Sequence, residues 1–281
     1  MRAPASTAAC WMDGRRVTSR EAQVPLDDPV LQAGLGLFET IATREGRLLE
    51  LEEHLGRMAE GAARLEIELP PNRQLREVVV EAAGQQSAVY GWLKIVVTGG
   101  GRWFVYADAI DPGEVGSVAT AVLLPWRRSL RDPLSGMKTL NYAASRLGLA
   151  EARRRGADDG IWLNSRGHLA EGCTSNLFVV DRGKLFTPAV SDGILPGVVR
   201  GLVLRAAGNL GCQAHQGKLR LRRLELADEA FLTSSVRGLR PLVRFEGKPV
   251  GSGRRGPLCE RLAGEVERLR LEALERESGE A

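Results

Sequence analysis

The sequence predicts an α+β protein of two domains, a small N-terminal α/β sandwich over residues 1–124 and a larger, barrel-like α+β domain over residues 137–281. Three observations predict it. The first half sets β-prone stretches around two helical ones. The second half alternates hairpins and helices with no regular β-α-β rhythm, which argues against a doubly wound parallel sheet. Between them, PWRRSLRDPLSG (residues 125–136) is rich in Pro, Gly, Ser and Arg and poor in apolar material, as expected of an interdomain connection.

The elements follow in order. MRAPASTAAC lacks a hydrophobic signal core and reads as a loose arm. Asp13-Gly14 marks a hairpin between short β-prone pieces. LGLFETIAT (35–43) alternates as a strand, and Glu45-Gly46 turns into RLLEL. Leu51, Leu55, Met58, Ala62 and Leu65 then recur at helical spacing. Pro70-Pro71 breaks the chain before a second helix, 75–83, with Val78, Val79 and Ala82 inward. Strands are expected over 90–97 and 103–107, joined by Gly99-Gly100-Gly101-Arg102, and over 118–124. The glycine run is read equally as a plain hairpin loop or as backbone that a ligand approaches closely.

In the second half a helix spans 142–155, with Gly156 as its C-cap after three arginines that suit the negative helix end. Short strands follow at 160–163, 168–171, 176–180 and 184–187. A helix over 198–210 exposes free N–H groups at its first turn, a seat for phosphate that on its own is a weak signal. A strand at 230–233, a loop VRGLRPL, a small hairpin over 245–250 and a terminal helix over 257–276 complete the chain.

Composition sets bounds on function. The 281 residues are 43% hydrophobic and 26% charged, ordinary for a globular protein. A net charge of +4 with dispersed arginines and no basic block interleaved with aromatics argues against nucleic acid as a partner. Cys10, Cys173, Cys212 and Cys259 are far apart, without CxxC spacing, and read as free thiols of a reducing cytoplasm. Three dispersed histidines suggest no metal site, and no apolar run reaches membrane-spanning length.

One stretch carries chemistry. In KTLNYAASRLGLAEARRRGADDGIWLNSRGHLAEGCTSN, Lys138 precedes a helix and Glu171 lies in a tight polar turn. Lysine forms Schiff bases, and a carboxylate opposite it can keep a ring nitrogen protonated, as pyridoxal 5'-phosphate (PLP) chemistry requires. Arg57, by periodicity alone, is a solvated helix charge.

These segments coincide in order with LGLFET (35–40), EHLGRM (53–58), KTLNYAAS (138–145), EGCTSN (171–176), GILPGVVR (193–200) and FLTSSVRGLRPL (231–242). From Trp11 to the C-terminus the chain resembles the class IV, fold-type IV, PLP-dependent aminotransferase family. The resemblance implies a PLP enzyme with Lys138 as the Schiff-base lysine and proton shuttle, and Glu171 as the partner of the pyridine nitrogen. Arg57, the backbone amides of Val198 and Val199, and Ser235 would hold the phosphate, with Ser175 and Asn176 beside the ring. It also implies a homodimer taking a small amine or amino acid.

Within the family, LQAGLGLFET, GGGRW and TSSVRGLRPL are most similar to the 4-amino-4-deoxychorismate lyases, which release pyruvate and leave 4-aminobenzoate, a folate precursor. Leu35 stands where GDG has Asp, and Ser234 where an asparagine is common. The alternative is an aminotransferase for D-amino acids or branched-chain amino acids. The D-amino acid enzymes carry a tyrosine at the position of Leu31 and an Arg-x-His pair in the glycine loop, where this chain has Arg102-Trp103-Phe104. Arg102, Leu31, Thr40 and Ser234 are the expected substrate-side residues, Arg102 for a carboxylate and Thr40 near the leaving group.

Overall fold

The computed structural model describes residues 10–279. Two compact units form among them: residues 10–112 with 138–141, and residues 113–137 with 142–279.

The first unit is a six-stranded sheet, its strands ordered Arg15–Val17, Cys10–Met12, Trp103–Ala109, Tyr90–Thr98, Gly36–Arg44 and Arg47–Leu48. All neighbours are antiparallel. Alternation divides its two faces. Leu37, Ile41, Leu93, Ile95, Val97, Trp103 and Val105 form one core with Met58 and Ala62 of helix Leu51–Leu65 and Leu75, Val78, Val79 and Ala82 of helix Asn72–Gly84. Phe38, Thr40, Lys94 and Tyr106 therefore share the opposite face. The arm expected over residues 1–10 lies outside the described residues except for Cys10, which pairs with Val17 and Tyr106.

The second unit is a nine-stranded mixed sheet. Its path runs Ala214–Gln216, Lys184–Thr187, Asn176–Asp181, Glu229–Ser234, Gly238–Phe245, Ala119–Arg128, Asp159–Asn164 and Leu169–Gly172, with Lys248–Pro249 beside Gly238–Phe245. Helices Val198–Asn209 and Pro257–Gly279 cover one face, where Val199, Val203, Cys259 and Leu262 pack with Phe178 and Phe231, rings stacked 5.0 Å apart. Ile161, Leu177, Val179, Leu224 and Leu232 make a separate core. The α+β class is as expected.

The boundaries differ from the expected ones. Strand Ala119–Arg128 pairs parallel with both Gly238–Phe245 and Asp159–Asn164, so residues expected at the end of the small domain and in the linker belong to the large sheet. Parallel partners distant in sequence leave no local signal. The register slips between Leu123 and Arg127, around Pro125, which has no N–H to donate. VRGLRPL, expected as a loop, is mostly strand Gly238–Phe245. Conversely, residues 138–141 join the first unit: the Phe38 N–H donates to the Lys138 carbonyl (3.0 Å) and the Leu140 N–H to Gly36 (2.9 Å). Lys138 thus extends the edge of the small sheet rather than opening the large domain.

Candidate active site

In the first unit, pairing of residue 138 beside Phe38 sets the Lys138 ammonium 4.3 Å from the centre of the Phe38 ring. Thr40 lies on the same face, directly across from Lys94. Behind this face, strand alternation turns Glu39 toward helix Leu51–Leu65. Its carboxylate is buried and accepts from Arg57 Nε (2.8 Å) and Nη2 (2.7 Å), and it contacts His54 Nδ1 at 2.7 Å. Burial alone would raise the Glu39 pKa, but the Arg57 charge and the bonds from His54 and Arg57 bring it down to about 2. Arg57 is therefore no solvated helix charge; its side chain is 10% exposed.

The loop residues split. Buried Asp28 caps the short helix Pro29–Ala33 at Val30 N–H (2.9 Å) and accepts from Thr98 Oγ1 (2.6 Å) and, more weakly, from Gly100 N–H (3.3 Å). It ties that helix to the glycine loop. Arg102 is paired with Asp13, whose other oxygen accepts from Trp103 N–H (3.0 Å), so the loop arginine is anchored within its own sheet. Leu31 is 55% exposed on the short helix.

In the second unit, Glu171 is buried on strand Leu169–Gly172. One carboxylate oxygen accepts from Arg128; the other accepts from Asn176 Nδ2 and from Leu195 N–H, both at 3.0 Å. Arg128 also donates to Ser145 Oγ (3.1 Å) and lies 5.0 Å from the Trp162 ring centre. In all three bonds from Arg128, Asn176 and Leu195 the Glu171 oxygens accept, the role an ionised carboxylate can fill. Ser175 faces elsewhere: its hydroxyl donates to Asp159 (2.8 Å), which also accepts from Gly160 and Cys173 N–H. Burial raises the Asp159 pKa, and this carboxylate shapes the EGCTSN turn. Tyr142 donates to the Cys173 carbonyl (3.2 Å), and its phenol is pushed up by burial and then by the Glu171 charge.

Helix Val198–Asn209 begins at Gly197 with no side-chain cap, and Val198 and Val199 are buried. A Cβ at Gly197 would sit 1.9 Å from Asn176 Oδ1, so only glycine lets the helix start approach the Glu171–Asn176 pair. Ser234 and Ser235 follow at and after the end of strand Glu229–Ser234. Beside them the buried Thr233 hydroxyl has no hydrogen-bond partner among the described residues. An uncapped helix start and an orphaned hydroxyl are the features of a seat for an anion.

The comparisons now decide the family. The model of the family described as amino-transferase class IV matches residues 36–245. The chain belongs to the class IV aminotransferases. It is thus an enzyme of a PLP-dependent family. The branched-chain-amino-acid aminotransferase of Salmonella typhimurium is 28% identical over 284 residues, covering 90% of this chain and 89% of that one. The branched-chain aminotransferase of Thermoproteus uzoniensis, solved with norvaline, superposes with a TM-score of 0.86 at 27% identity, covering 95% of each chain. A Legionella pneumophila chain provisionally named 4-amino-4-deoxychorismate lyase shares the fold, with a TM-score of 0.81 at 23% identity over 88% of this chain and 95% of that one. These likenesses favour the aminotransferase alternative over the lyase.

Reading the residues for PLP chemistry missed Glu39, His54, Lys94, Arg128, Asp159 and Thr233. The alternation of LFETIAT carried one signal, since it places a carboxylate among core positions. Arg128 could not have been found, because its partner lies across a parallel strand pair.

Proposed function

We propose that the protein is a PLP-dependent aminotransferase acting on branched-chain amino acids, working as a homodimer in the cytoplasm. The name shared by relatives that span nine-tenths of both chains carries the substrate class. The free cysteines suit a reducing compartment. Among the described residues no helix is long and apolar enough to cross a membrane.

The residues fit the cofactor. Lys138 supplies the amine that binds it. Arg57 and the N–H groups at Val198 and Val199 offer positive ends to its phosphate, with Ser235 and the orphaned Thr233 hydroxyl nearby in sequence. Glu171, which accepts from Arg128, Asn176 and the Leu195 amide, would be the carboxylate that favours a protonated ring nitrogen. PLP, when bound, supplies the electron sink for the substrate's Cα–H bond. Lys138 would be the base placed to take the proton from the substrate's Cα and to hand it back. Asn176 orients Glu171 and closes the turn against Leu195 (2.9 Å to its carbonyl). Thr40, Leu31, Arg102 and Ser234 remain the substrate-side residues, with Arg102 acting through its anchored loop.

The lyase is a second reading, favoured by the agreement of LGLFET, GGGRW and TSSVRGLRPL with that branch. One assay separates them. The PLP-loaded protein is incubated with L-leucine and 2-oxoglutarate, with D-alanine and 2-oxoglutarate, and with 4-amino-4-deoxychorismate. Glutamate formation from L-leucine is expected. Release of 4-aminobenzoate and pyruvate without amino transfer would replace this proposal with the lyase.

A further inference from the structure

Two segments of the first unit that carry expected substrate-side residues are joined by one buried carboxylate. Helix Pro29–Ala33 presents Leu31, and the loop after strand Tyr90–Thr98 presents Arg102. Asp28 caps the helix, Pro29 opens it with a preset φ, and the Gly34 N–H closes it on the Val30 carbonyl (3.0 Å). A helix of five residues is not stable by itself, so its position is set by what its ends are tied to. At the far end the Asn141 amide donates to the Gly34 carbonyl (3.0 Å). At the near end Asp28 does more than cap. It is buried, and its oxygens accept from the Val30 N–H, the Gly100 N–H and the hydroxyl of Thr98, itself only 1% exposed. That hydroxyl accepts in turn from the Arg102 N–H (3.1 Å). A run of hydrogen bonds therefore leads from Val30, beside Leu31, through Asp28 and Thr98 to the backbone of Arg102. It also accounts for one glycine of the loop. A Cβ at Gly100 would lie 2.6 Å from Asp28 Oδ2, so the group that approaches this backbone closely is the Asp28 carboxylate.

We propose that Asp28 is a specificity-positioning residue: through Thr98 it locks helix Pro29–Ala33 to the Arg102 loop, so that Leu31 and Arg102 are presented to the substrate as one piece. The inference rests on the aminotransferase reading and on those two residues lying on the substrate side. Contacts to parts of a substrate that do not react are equally strong in the ground and transition states, so misplacing them raises KM and spares kcat. Neighbouring bonds do not replace the lock. The Gly99 N–H donates to the Leu35 carbonyl (2.8 Å), past the end of the helix. Asp13 holds Arg102 and the Trp103 N–H from the sheet. Neither bond reaches residues 28–33.

The test breaks the lock from each end in the PLP-loaded full chain. Thr98→Val keeps the buried volume and removes the hydroxyl. Asp28→Ser keeps an N-cap on a side chain one bond shorter. Each is expected to raise the KM for L-leucine about fivefold to tenfold with kcat within about twofold of the parent, the loss of one buried hydrogen bond to a carboxylate. The double variant is expected to be no worse than either single one, because both remove the same link. Thr98→Ser, which restores the hydroxyl, is expected to return the parent KM. Hydrogen exchange, followed by mass spectrometry without substrate, is expected to quicken at the remote segment: residues 98–102 in Asp28→Ser, and residues 28–34 in Thr98→Val. Where Asp28→Ser does not fold, Thr98→Val and Thr98→Ser decide the matter alone. A KM within about twofold of the parent in the single variants, or effects that multiply in the double one, would overturn the proposal. Exchange that quickens only around the substituted residue refutes the lock itself. A parent protein that forms no glutamate from L-leucine refutes the function proposed above, and the specificity role with it; remote quickening would then leave the lock as a brace within the first unit.

Discussion

Replacing Glu39 by glutamine tests the anchor behind the candidate active site. The substitution keeps size and one acceptor but removes the charge that Arg57 and His54 converge on. Two routes give the magnitude. The Glu39 pKa falls from an ordinary 4.5 to about 2, which linkage converts to roughly 3 kcal/mol of stability at neutral pH. Breaking a buried ion pair by removing one partner costs about 3–5 kcal/mol. The sign follows from the direction of the shift. Because the folded pKa is depressed, the contribution is present above about 4.5 and is lost as pH falls toward 2. Urea unfolding of parent and Glu39→Gln proteins without cofactor should therefore differ by about 3 kcal/mol at pH 7, and the gap should close progressively below pH 4.5. A difference under about 1 kcal/mol at pH 7, or a gap that stays constant to pH 3, would refute the reasoning.

Three further outcomes are expected. Gly197→Ala, whose new Cβ would fall 1.9 Å from Asn176 Oδ1, should weaken PLP binding at least about tenfold by fluorescence titration, while Gly201→Ala, with nothing within 4 Å, should not. Arg128→Met leaves Glu171 its bonds from Asn176 and Leu195 but removes the charge-assisted one, and should lower turnover about tenfold to a hundredfold in steady-state assays. Thr233→Val removes a buried hydroxyl without a partner, so the cofactor-free protein should be unchanged or up to about 1 kcal/mol more stable by denaturant titration.

What the sequence could and could not reveal follows from the range of the interactions. Hairpins, and the helix Leu51–Leu65 that presents Arg57, are written in spacing over a few residues, and there the expected and observed elements agree within a residue or two. The candidate site residues Lys138 and Glu171 stand out in the sequence because each sits in a motif with a local polar signature. Their surroundings were not. Arg128 reaches Glu171 across a parallel pair whose strands are separated by the whole helix Ala143–Arg154, so its segment, stripped of apolar residues, resembles a linker. Lys138 itself was assigned to the wrong unit for the same reason: the bonds that place it, to Phe38 and Gly36, span about a hundred residues. Its pairing beside Phe38 is also what brings it to the ring that Lys94 approaches. The surroundings of the lysine are thus set by a long-range register that no motif around Lys138 encodes.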